Sequence, residues 1–121
     1  MAKQGWQLNI GRRRRAQQGI SSLLQEQTRE RILRHAAEIV PEKASQLRVW
    51  FRGRFCYIDA QEPDSSEPFR LCRLRYAGSP DRWTLAFYTY SRERYERCVF
   101  MSGDSFGTPE EALEIGAVYL Q

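Results

Sequence analysis

Residues 47–58 have the sequence LRVWFRGRFCYI, the clearest strand signal in the chain. In the first half, apolar residues alternate with Arg48, Trp50 and Arg52. This period of two is typical of a strand with one buried and one exposed face. Gly53 permits a tight turn, so we expect the second half to return as an antiparallel partner strand. The segment therefore predicts a β-hairpin with arginine and tryptophan on its second face.

Further strand patterns follow the hairpin, at residues 69–76, 83–90 and 95–101. Residues 59–68 are polar, acidic and contain proline, which is typical of a loop. Together with the hairpin, these segments predict about five short strands joined in sequence, which favours antiparallel pairing.

Helical patterns lie on both sides of the strands. Apolar residues spaced by three and four cover residues 21–40, with Ser22 or Thr28 as the expected cap, and Pro41 ends the pattern. The second helix begins at Thr108, followed by proline and two glutamates, the arrangement of a capping box. We predict an α+β fold with an N-terminal helix, an antiparallel sheet, a C-terminal helix, and both helices on one sheet face.

The positive charge is concentrated in a front segment. Residues 1–20 hold five basic side chains and no acidic one, whereas residues 21–121 hold 14 basic and 15 acidic side chains. The formal charge of +4 thus divides into +5 and −1. The five basic residues are Lys3, Arg12, Arg13, Arg14 and Arg15. We predict a basic arm over residues 1–20 and a single α+β domain over residues 21–121.

Arginine dominates the basic residues, with 17 arginines and two lysines. Its planar guanidinium binds phosphate through two parallel hydrogen bonds and stacks on bases. The run from Arg12 to Arg15, near Trp6, therefore points to nucleic acid. The alternatives are a solvated tail, docking on an acidic surface, an organellar transit segment, or a segment foreign to the natural chain. An internal acidic target exists after Arg97, where Asp104, Glu110, Glu111 and Glu114 occur without a basic residue.

The sheet face away from the helices is a second candidate for binding. Aromatic and arginine side chains on a sheet can stack single-stranded bases and hold their phosphates. Strand propensity and surface packing explain the same residues without a ligand, and a one-residue register slip would reverse the faces. The residues expected on this face are Arg48, Trp50, Arg52, Arg73, Arg75, Tyr88 and Tyr90. The candidates for nucleic-acid binding among them are Trp50, Arg52, Arg73, Arg75 and Tyr88.

No catalytic, metal or cofactor motif is recognisable. His35 is the sole histidine, and Cys56, Cys72 and Cys98 lack the short spacing of a zinc site, so we interpret the cysteines as reduced, buried small hydrophobes. No run of about 18 apolar residues predicts a membrane span, and the first twenty residues lack the apolar core of a secretory signal. We expect a cytoplasmic location.

The layout resembles a family of small uncharacterised bacterial proteins over residues 28–101. The features that carry the resemblance are a helix ending near Pro41, the strand Arg73-Leu74-Arg75-Tyr76 and the turn into Trp83-Thr84-Leu85-Ala86-Phe87. The resemblance implies an α+β fold and no particular activity, because the family has no established function. The basic arm lies outside it.

The leading hypothesis is a small, non-enzymatic accessory protein that binds RNA, DNA or a nucleoprotein assembly. The first alternative is a protein–protein interaction module whose arm docks on an acidic surface. The second is a toxin-type ribonuclease using Arg73, Arg75 and Tyr88, although the nearly neutral body argues against it because nuclease faces are usually strongly basic.

Overall fold

The computed structural model describes residues 19–120, and the predicted arginine run at 12–15 lies outside them. A long helix, α1, precedes five strands, β1 to β5, and a short helix, α2, follows. Short 3-10 turns come before β1 and after α2. The predicted order of helix, antiparallel sheet and helix is confirmed. The bounds are α1 Ser22–Ile39, β1 Leu47–Arg52, β2 Phe55–Ala60, β3 Phe69–Ser79, β4 Arg82–Thr89, β5 Arg94–Cys98 and α2 Pro109–Gly116, with 3-10 turns at Ala44–Gln46 and Ala117–Leu120.

The five strands form a meander in which each strand pairs with the next in sequence, so that β1 and β5 are the edges. All four pairings are antiparallel. Gly53 has φ of 60° in the turn between β1 and β2, a conformation that favours glycine at a two-residue hairpin turn. β2 extends to Ala60, two residues beyond the predicted strand, and its register with β3 shifts between Ile58 and Asp59.

Both helices pack on the same face of the sheet, as predicted. Ile32 and Ala36 of α1 and Leu113 of α2 are fully buried in one core with Ile58 and Leu74 of the sheet.

Cys56 and Cys72 are buried free thiols, as predicted, and burial raises the pKa of both. Cys98 is half-buried. No helix within residues 19–120 combines the length and apolar character needed to cross a bilayer.

The helix starts show which capping predictions were right. Thr108 and Glu111 form the predicted capping box: the Thr108 hydroxyl accepts from the Glu111 amide at 3.1 Å, and the Glu111 carboxylate accepts from the Thr108 amide at 2.8 Å. For α1, Ser21 caps instead of Ser22, accepting from the Leu24 amide at 3.2 Å. Thr28 lies inside one continuous helix and is completely buried. It therefore does not start a second helix.

Polar contacts join α1 to α2 at the edge of the core. Arg31 donates two hydrogen bonds to Glu110, at 2.8 and 2.7 Å, and one to Asp81 at 2.8 Å. The same guanidinium donates to the backbone carbonyl of Pro80 at 3.0 Å. His35 lies 2.8 Å from a carboxylate oxygen of Glu114. Side chains of α1 thus bind carboxylates of α2 at two points, which fixes the angle between the helices.

We expect Arg31→Lys to lower the free energy of unfolding by about 1 kcal/mol, since hydrogen bonds to charged groups contribute about that much or more. Lysine keeps the charge but cannot form the two-pronged bond to Glu110. Arg34→Lys is the matched control, because Arg34 forms an exposed pair with Glu30 that is worth at most about 0.5 kcal/mol. Urea unfolding of both variants measures the difference. Equal free energies of unfolding would contradict a stabilising role for the two hydrogen bonds from Arg31 to Glu110.

The His35 contact makes stability depend on pH. Burial lowers the pKa of His35, but hydrogen bonds to Glu114 and Glu38 outweigh it, so the folded-state pKa lies above the ordinary histidine value of 6.5. The stabilisation is therefore fully present below pH 6.5 and is lost as the pH rises through the higher folded-state value. We expect Glu114→Gln to remove most of this loss, which urea unfolding between about pH 5.5 and 8.5 would measure. If the free energy of unfolding of the Glu114→Gln variant depends on pH as steeply as that of the unmodified chain, the His35–Glu114 contact is not the cause.

Candidate nucleic-acid interface

The sheet face opposite the helices, the open face, is covered by no element within residues 19–120. Directly opposed residues of antiparallel strands point to the same face, so the register assigns its members. One row crosses all five strands: Trp50, Tyr57, Arg73, Ala86 and Arg97. The other members used below are Arg48, Arg52, Phe55, Asp59, Arg70, Arg75, Tyr88 and Tyr95.

Aromatic rings on the open face form a continuous cluster. The Trp50 and Tyr57 rings stack with centroids 4.0 Å apart and an angle of 8° between their planes. Tyr57 then meets the edge of Tyr95 at 5.8 Å, and Tyr95 meets Tyr88 at 5.0 Å. Tyr57 and Tyr95 belong to β2 and β5, three strand spacings apart, so these rings lean toward each other across the sheet. Ala86 beneath them is only 3% exposed, so these rings cover the middle of the face.

The arginines of this face occupy two different environments. Arg73 lies between two rings, with its guanidinium carbon 4.3 Å from the centroid of Phe55 and 4.7 Å from that of Tyr95. Arg70 lies over Tyr88 at 4.8 Å but remains exposed. The exposed arginines of the face are Arg48, Arg52, Arg70, Arg75 and Arg97. None of the ion pairs within residues 19–120 includes any of them.

Asp59 is the acidic member of the open face, and it is only 7% exposed. The Trp50 indole N–H donates to its Oδ2 at 2.8 Å, whereas its Oδ1 has no hydrogen-bond partner within the described chain. Burial raises the pKa of Asp59, against the lowering effects of the Trp50 hydrogen bond and the Arg70 charge. This carboxylate lies at the side of a groove of about 760 Å³.

The structure places Trp50, Arg52, Arg73, Arg75 and Tyr88 together on the open face, the grouping that the strand alternation predicted. The remaining predicted site residues, Arg12, Arg13, Arg14 and Arg15, lie outside the described part of the chain.

Sequence reasoning missed seven of the members named above: Phe55, Tyr57, Asp59, Arg70, Ala86, Tyr95 and Arg97. Tyr57 and Tyr95 follow the same alternation as the predicted residues, so the period of two could have found them. Asp59 was assigned to a loop because aspartate is rare in strands and a polar segment follows it. Arg70 lies beside the register shift in β3, which a strict alternation does not anticipate.

Within residues 19–120, no group of three or more His, Cys, Asp or Glu side chains is arranged to hold a metal ion. No protein-family model, curated protein or solved structure matches the chain. The family resemblance therefore stays a prediction, and the function proposed below rests on the geometry of the open face.

The two environments predict different roles for two neighbouring arginines. We expect Arg73→Ala to lower the free energy of unfolding by about 1–2 kcal/mol, because the guanidinium packs between two rings. Arg75→Ala removes an exposed side chain of the same strand and serves as the control, with a change within about 0.5 kcal/mol. Thermal or urea unfolding of both variants provides the measurement. If Arg73→Ala lowers the free energy of unfolding no more than Arg75→Ala does, the packing of Arg73 between the two rings does not stabilise the sheet.

Proposed function

We propose that this chain is a cytoplasmic, non-enzymatic accessory protein that binds single-stranded RNA or DNA on the open face, with the basic arm adding phosphate contacts. The proposal rests on five exposed arginines that surround the aromatic cluster and form no ion pair within residues 19–120. Proteins that bind single strands combine a positive groove for the backbone with aromatic rings on which bases stack. The open face contains both components.

The exposed ring of Trp50 favours a single strand over a duplex. Trp50 is 40% exposed although one of its ring faces is covered by Tyr57, so its other side is accessible to a base. An unpaired base can present its flat face to that ring, whereas a base within a duplex is already stacked on both sides. Arg52 and Arg75 lie in the adjacent row across the sheet, where they can contact the phosphates on either side.

Charge elsewhere in the body supports the same interpretation. The C-terminal carboxylates considered as an internal target for the arm already have partners: Glu110 binds Arg31, Glu114 binds His35, and Glu111 accepts from the Thr108 amide. Docking of the arm on these groups would have to compete with existing contacts. Within residues 19–120, five exposed arginines on the open face form no ion pair, and such a cluster of like charge favours an external polyanion.

The contacts give no support to the ribonuclease alternative. Arg73, one of its three proposed residues, is enclosed between Phe55 and Tyr95. Tyr88, another of the three, packs at ring-centroid distances of 4.7 Å from Tyr90 and 5.0 Å from Tyr95. These properties are those of a packed stacking surface.

The proposal predicts a salt dependence that specific variants change. For a fluorescent single-stranded 12-mer, the double variant Arg52→Ala/Arg75→Ala should flatten the slope of log affinity against log salt by about 1.4, at about 0.7 for each phosphate contact. The variant Arg34→Ala/Lys43→Ala removes the same charge away from the open face, and we expect its slope to be unchanged. Fluorescence anisotropy from about 50 to 200 mM salt measures these slopes.

The arm is tested in the same titration. Replacing all four of Arg12, Arg13, Arg14 and Arg15 by alanine should flatten the slope by a further 2.8 or so if each contacts one phosphate. Replacing them by lysine keeps the charge and should restore most of the slope. A variant lacking residues 2–18 that binds as tightly as the full chain would remove the arm from the proposal. Failure of the full chain to bind any oligonucleotide would overturn the proposal as a whole.

A further inference from the structure

Asp59 has a contact pattern that the folded chain does not explain. In the register of the sheet it lies between Arg48 on one side and Arg70 on the other, yet neither arginine forms an ion pair with it in the described chain. One oxygen accepts from Trp50, and Oδ1 is buried with no hydrogen-bond partner among residues 19–120. A buried acceptor left unpaired is costly and points to a donor from outside these residues.

The groove beside Asp59 is not suited to a phosphate. Its lining includes Arg48 and Arg70 but also Asp59, Glu67 and Glu93, so the carboxylates outnumber the arginines. A phosphate would meet three negative groups there, whereas the arginines at positions 52 and 75 lie outside the groove.

A cationic ligand is also disfavoured. Arg70 already lies over the Tyr88 ring at 4.8 Å, which is the position that a bound cation would take on that ring, and Arg48 adds a second positive charge. The ligand that fits is neutral, is flat enough to stack, and offers N–H donors to a carboxylate. A nucleobase has these three properties.

Among the common bases, guanine matches best. Its N1–H and N2–H groups are two adjacent donors, which a carboxylate accepts as a pair once the side chains that cover Oδ1 move aside. Adenine and cytosine each offer one exocyclic amino group, and uracil offers one ring N–H. Guanine also has the O6 and N7 acceptors that arginine binds, and Arg48 and Arg70 flank Asp59. We infer that this groove selects a guanine base of the bound strand, an inference that rests on the proposed function.

Trp50 is then a positioning residue for this selection. Its indole N–H fixes the orientation of the Asp59 carboxylate, and its stacking on Tyr57 holds the indole in place. The variant Trp50→Phe keeps an aromatic ring but removes the donor, so we expect a reduced preference for guanine with affinity for other bases largely retained.

The test uses the full chain and adenine 9-mers whose central base is guanine, inosine, adenine, cytosine or uracil. We expect the guanine strand to bind about tenfold more tightly than the adenine strand, the lower range for a good two-bond contact to a base. Inosine lacks the 2-amino group and should fall between them. Asp59→Asn should abolish the preference for guanine, measured as the ratio of the affinities for the guanine and all-adenine strands, and should not weaken binding of the all-adenine strand, because it removes a negative charge from the face. Glu67→Gln, at an exposed carboxylate of the same groove, is the matched control and should keep the preference.

The possible outcomes separate this inference from the proposed function. Equal binding of the guanine and adenine strands overturns the inference and leaves the single-strand proposal standing. Absence of binding to every strand overturns both. Should Asp59→Asn fail to fold, as circular dichroism would show, the series of five strands on the unmodified chain still decides, because it requires no variant.

Discussion

The antiparallel register sets Trp50 opposite Tyr57 and Tyr57 opposite Arg73, and the properties of the open face depend on this pairing. Because opposed residues share a face, one alternation sends Ile58 and Leu74 into the core and the aromatic and arginine side chains to the other side. A shift of one residue in any pairing would put charges into the core. The buried contacts with α1 and α2 therefore hold the open face in its arrangement without touching it.

Acidic and basic groups are distributed unequally between the two sides of the sheet. On the helical side, Arg31 and His35 are matched with carboxylates of α2, and these contacts tie the helices together. On the open face, most arginines have no acidic partner in the described chain, and the one buried acid, Asp59, is bound by an indole. A body that is nearly neutral as a whole thus presents a locally basic surface, which the total charge alone does not reveal.

Much of the fold could be predicted from the sequence because its signals are local. The alternation around Trp50, the proline and capping residues at Thr108, and the helical spacing before Pro41 each fix one element. The ring cluster of the open face could not be predicted, since it needs Tyr57 and Tyr95 to meet across intervening strands. The groove was also missed, because it needs Asp59 to continue β2 and Arg70 to sit at a register shift, and both depend on partners distant in sequence.

The edge strand β1 has a consequence for self-association. An exposed edge invites a second copy to extend the sheet through its free backbone groups. If two copies paired antiparallel about Trp50, Arg48 of each would lie directly opposite Arg52 of the other, and opposed like charges destabilise such a pair. The exposed arginines of this strand thus disfavour the joining of identical copies through this edge.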